Sequence, residues 1–131
     1  MTSIASQLKA IQAKSMMKAE AVYRESMFEV STRIIFRSPV RDGLFINNWL
    51  SSYEYDKSTH DIKDKSGAKS SGALIKKQSG LTLDHSFYFM NSLPYAERLE
   101  NGWSQQAADG MVKRSLAEFD SIVQETINKY K

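Results

Sequence analysis

The sequence predicts an α+β domain, and three observations carry that reading. Apolar residues recur at three- and four-residue steps over about Ser3 to Arg37 and again over Gly110 to Tyr130, the spacing of helices with one buried stripe. Between them, two stretches alternate in polarity, as strands of a small antiparallel sheet do. A chain of 131 residues holds one core, so a single domain over 1–131 is expected.

The long N-terminal helix is read from Ile4, Leu8, Ile11, Ala19, Val22, Val30 and Ile34, with Ser15 and Ser26 interrupting the stripe. Thr2 or Ser3 offers a cap at its start, and Pro39 stops it at Ser38. Phe28 and Ile35 add a second apolar row, which should bury the far end more fully. The helix is expected to lie on its own sheet, the alternative being a neighbouring subunit. Lys9, Lys14 and Lys18 precede Glu20 with no acid among them, in imitation of a mitochondrial presequence. Such peptides are rich in arginine, and the first here is Arg24, so the segment reads as structural.

A turn follows over Val40 to Gly43, with Asp42-Gly43 at its apex. Trp49, Ser51, Tyr53 and Tyr55 then alternate with Leu50, Ser52 and Glu54, a strand whose aromatic face suits packing on a sheet and, less often, stacking on nucleic-acid bases. Residues 56–80 are the compositional outlier, with six lysines against three aspartates amid Ser and Gly. Mobility is expected over 56–71, and Ala73-Leu74-Ile75 supports a short helix from Gly72 to Gln78. The lysines, Lys57, Lys63, Lys65, Lys69, Lys76 and Lys77, form either a solvated surface or an arm facing a partner or DNA. Leu81 to Met90 alternates most clearly, with Leu81, Leu83, His85, Phe87 and Phe89 on one side, and should pair antiparallel with the first strand.

Pro94 ends that strand and opens a short helix to Asn101, which Gly102 terminates through a left-handed residue. Asp109 is placed to cap the last helix, whose stripe is Val112, Leu116, Phe119, Val123, Ile127 and Tyr130. That helix should cover a sheet face, with the N-terminal helix beside it or across a subunit boundary.

Chemistry is hard to build from these residues. Cysteine is absent, which removes disulfides and thiolate sites and suits a reducing cytoplasm. His60 falls in the lysine-rich loop and His85 on a core face, where a packed, hydrogen-bonded histidine is expected. Asp84-His85-Ser86 has the residue types of a hydrolase triad, but on a strand neighbouring side chains diverge. Phosphate-loop and dinucleotide glycine patterns are missing. Glu97 and Glu100 are three apart on the short helix and read as a solvated face beside Arg98, not an acid/base pair. The expectation is a non-enzymatic protein with no cofactor and no metal.

The string Asn91, Leu93-Pro94-Tyr95-Ala96, Leu99-Glu100, Gly102, Ser104, Gln106-Ala107, Gly110-Met111-Val112 resembles the signature of the small tail-completion, or neck, proteins of long-tailed bacteriophages. Ser38-Pro39-Val40, Gly43 and Asn48-Trp49 match the same family in the same order along the chain. Two departures stand out: Arg41-Asp42-Gly43 where the family usually has Asp-Thr-Gly, and Ala108 near a usual proline. The resemblance implies a virion structural protein at the head–tail joint, assembled in the bacterial cytoplasm. It also implies neighbouring neck and tail proteins as partners, and a homo-oligomeric ring with six copies preferred over twelve. Tyr95, Glu100, Trp103 and Gln106, polar and amphipathic side chains around a tight corner, are the expected subunit contact. Replacing Trp103 and Gln106 by Ala should then leave the isolated fold intact. From another class, the alternative is a basic nucleic-acid-binding module, which a pI near 9.1 permits and a surplus of three charges supports only weakly.

Overall fold

The computed structural model describes residues 3–130; Thr2, one of the two expected caps, lies outside them. Helix α1 (Ile4–Phe36) is followed by a 3-10 turn at Ile46–Asn48, strand β1 (Trp49–Ser52) and helix α2 (Ala68–Ser79). Strand β2 (Tyr88–Asn91), α3 (Ala96–Glu100), a second 3-10 turn (Gln105–Ala107), α4 (Val112–Leu116) and α5 (Phe119–Lys129) complete the chain. The fold is α+β, with a long N-terminal helix and a two-stranded antiparallel sheet in which Trp49 faces Asn91 and Ser52 faces Tyr88.

Helix α1 runs 33 residues, roughly 50 Å at 1.5 Å per residue. Ser3 caps it, its Oγ accepting from the Ser6 amide at 3.1 Å. Every residue from Ser3 to Ala19 is exposed, whereas Ser26, Val30, Ser31, Ile34 and Ile35 are buried. The expected bed for this helix was the sheet; instead α1 packs on α2, α4 and α5. Helix α2 takes the place against β1, while Met111 and Val112, at the start of α4, reach the cluster around Trp49. That cluster joins Ile34, Ile35, Phe45, Ile46, Trp49, Leu74, Ala107 and Met111. Trp49 stacks on Phe89 across the sheet, ring centroids 5.1 Å apart, and meets Phe45 edge-on.

Both strands are shorter than the alternation suggested. β1 ends at Ser52, with Tyr55 exposed beyond it. The expected strand over Leu81–Met90 is real only from Tyr88, because its first half gives its backbone to α1. The Leu81 carbonyl accepts from Arg24 Nε, the Leu83 amide donates to Glu20, and the His85 carbonyl accepts from Tyr23 Oη at 2.8 Å. A turn at Thr82–His85 carries Asp84 and His85, with Ser86 just beyond it and before β2, so the divergence argued for a strand does not apply there. His85 is packed as expected, stacked on Tyr53 at 4.1 Å with its Nδ1 accepting from the Thr82 amide.

Helix α2 begins at Ala68, not Gly72, so residues 68–71 are helical where a loop was expected. Residues 56–67 are irregular but anchored by two buried asparagines. Asn48 exchanges hydrogen bonds with the His60 backbone, and Asn47 donates to the Asp64 carbonyl and accepts from the Lys69 amide at 3.1 Å. Gly43 closes this contact. At φ +92° an L-residue is strained, and a Cβ there would collide with the Asp64 backbone.

The single helix expected over Gly110–Tyr130 is two, interrupted at Ala117–Glu118. The buried positions are Gly110, Met111, Ser115 and Ile122, and Leu116, placed in the core by periodicity, is 54% exposed. An ion-pair cluster sits at the break. Arg37 meets the Glu118 carboxylate with both Nη atoms, at 2.7 and 2.8 Å, and Arg33 adds a third contact at 3.0 Å.

Candidate functional site

The corner expected to meet a partner is built on α3 and the turns after it. Leu93-Pro94 leads in, and α3 occupies Ala96–Glu100 rather than the full Pro94–Asn101. It ends in a Schellman motif, the Gly102 amide donating to the Leu99 carbonyl and the Trp103 amide to the Arg98 carbonyl at 3.2 Å. Gly102, at φ +87°, is the left-handed residue, and a Cβ on it would strike the Ala108 carbonyl. The chain thereby reverses beside its own helix and brings Gly110–Lys113 back over Glu100.

Glu100, expected at a subunit contact, caps α4. Its carboxylate accepts the Met111, Val112 and Lys113 amides, each at 2.9 Å, satisfying three donors that a helix start leaves unpaired. Burial alone would raise its pKa, but these three donors outweigh burial and hold it below the ordinary carboxylate value. Asp109, the cap expected from sequence, makes no such bond. Gln106 is likewise engaged at home: its amide accepts from the Val40 N–H at 2.9 Å and donates to the Val40 carbonyl at 3.2 Å. Replacing Gln106 by Ala would therefore remove two hydrogen bonds from the isolated fold.

Tyr95 and Trp103 remain at the surface. Tyr95 lies 6.0 Å from Phe45, ring to ring, and burial followed by the nearby Asp42 charge raises its hydroxyl pKa. Trp103 is 71% exposed, with the Arg98 guanidinium 4.9 Å from its ring centre. Tyr95 and Gln106 flank a cleft of about 630 Å³ with Arg41, Asp42 and Phe45. Trp103 lies outside its lining.

The corner also joins the two separated motifs. Asn91 Nδ2 donates to the Phe45 carbonyl at 2.9 Å and Gln106 holds Val40, while within the first segment Trp49 Nε1 donates to Ser38 Oγ at 2.8 Å. Asn47 was invisible as a functional position in sequence, although two adjacent asparagines before a strand are a signal of local backbone capping.

The six lysines do not all lie on a free loop. Lys57 and Lys77 lie over the Tyr55 and Tyr53 rings, Lys63 is 3.6 Å from Asp42, and Lys69, Lys76 and Lys77 belong to α2. Among the described residues, no group of three or more His, Cys, Asp or Glu is placed to hold a metal ion, and no helix is long and apolar enough to cross a membrane. The His60 ring is occupied by its own chain, Nε2 at 2.7 Å from the Asn47 carbonyl and Nδ1 accepting from the Ile62 amide. Comparison with protein-family models, with curated proteins and with solved structures gave no significant match.

Proposed function

We propose that this chain is a non-enzymatic virion structural protein that completes a phage tail or joins tail to head as part of a neck ring. The observation that supports it most is the union of the two motif segments behind the resemblance. Separated in the chain, they meet through Val40–Gln106, Phe45–Asn91 and the cluster that holds Trp49 and Met111. Residues that act together on one corner are what a shared assembly fold requires. In this reading Tyr95 and Trp103 present the corner to a neighbour, and the lysines of 57–77 face an adjacent ring or the DNA of the channel.

The test is electron microscopy of lysates from a phage that encodes this chain, with the gene disabled. Filled heads beside separate tails of normal length are expected. Complete, infectious tailed particles would overturn the proposal.

A further inference from the structure

The exposed part of α1 matches a groove on the other part of the same helix. Ile4, Leu8 and Ile11 stand 76%, 61% and 63% exposed, at steps of four and three along one helical stripe. Later members of that stripe, Ser26, Val30 and Ile34, are buried. Helix α5 runs back along α1 from Arg33, which meets Glu118, to Glu25, which meets Tyr130 and Lys129, and the cover ends there. Beside this packing lies an open groove of about 400 Å³, lined from α1 by Val22 and Met27 and from α5 by Phe119, Val123 and Ile127.

Charge pairs the two surfaces as well. Residues 1–18 carry Lys9, Lys14 and Lys18 and no acid, while Asp120 and Glu125 of α5, outside the apolar lining of the groove, have no ion-pair partner among the described residues. α5 also packs along this helix through its own apolar face.

We propose that the groove receives residues 4–18 of α1 from a second copy of this chain, each copy donating one segment and receiving another. The contact joins two different patches, so it is head-to-tail and closes into a ring where its rotation permits. It rests on the two surfaces alone and not on the placement of the protein in a virion.

The chain has no cysteine, so single cysteines report the contact cleanly. Full-length Leu8→Cys and Val123→Cys proteins, mixed under mild oxidation, should yield the mixed disulfide in preference to either self-linked dimer. In sedimentation velocity the parent chain should be oligomeric. The Leu8→Asp/Ile11→Asp variant, altered only at exposed positions, should be monomeric with an unchanged circular dichroism spectrum. Self-linking of Leu8→Cys alone, a monomeric parent at its highest soluble concentration, or an oligomer that survives the two aspartates would each overturn the inference. These readouts use purified protein, so their failure leaves the virion reading open to its own test, and the converse holds.

Discussion

Glu100 and Trp103 are three residues apart and serve opposite purposes. Glu100 turns inward to hold three amides of α4, and Trp103 turns outward over Arg98. Glu100→Ala should cost about 2 kcal/mol, the upper end for loss of a helix cap, read as a lower urea midpoint; an unmoved midpoint would show the cap to be idle. Gln106→Ala removes both hydrogen bonds to Val40 and should cost about 1 kcal/mol. Trp103→Ala should shift stability by less than about 0.5 kcal/mol, as surface changes do, and its effect belongs in assembly assays. None of this division was legible in the sequence. The donors that engage Glu100 lie eleven to thirteen residues away, beyond the local spacings by which caps are recognised, and only the reversal at Gly102 brings them within reach.

The C-terminal helices are tied to α1 by charge, and this tie is pH-dependent. Hydrogen bonds from Arg37 and then Arg33 hold the Glu118 carboxyl down from an ordinary 4.5 to about 2. A carboxyl whose pKa is lower in the folded than in the unfolded state contributes stability above the unfolded value, which is lost as pH falls through the folded one. Stability measured by urea unfolding should therefore fall between pH 4.5 and about 2 more steeply in the parent than in Glu118→Gln. Parallel curves would remove Glu118 from that role. At the other loop, residues 56–67 are anchored at His60 and Asp64 but have no regular backbone, whereas α2 does. Limited trypsin digestion should cut after Lys57, Lys63 and Lys65 before Lys69, Lys76 and Lys77. Equal cutting at all six would show that α2 opens as readily as the loop. Periodicity located both helical ends of the chain, yet it ran straight through Ala117–Glu118, where the contacts made are ion pairs to residues some 80 positions earlier that local spacing does not register.

At the scale of the whole molecule, the core lies where the 3-10 turn, β1, α2 and the second half of α1 converge, and the first part of α1 adds nothing to it. Deleting residues 2–17 should leave the urea midpoint of the remaining domain unchanged while abolishing self-association. A lower midpoint would mean that the segment folds back on its own body. The α+β class, the long first helix, the antiparallel pairing of the strand at Trp49 with the strand ending at Asn91, and the exit at Gly102 were all readable from the order of residues. Each depends on neighbours within a few positions or on side-chain alternation, which local sterics and hydrophobic burial impose directly. Which helix lies on the sheet, which carboxylate caps α4, and how Asn47 and Asn48 anchor the lysine-rich loop were decided by tertiary structure alone. In those places a backbone group must find its hydrogen-bond partner across the fold, and nothing in local spacing specifies which partner arrives.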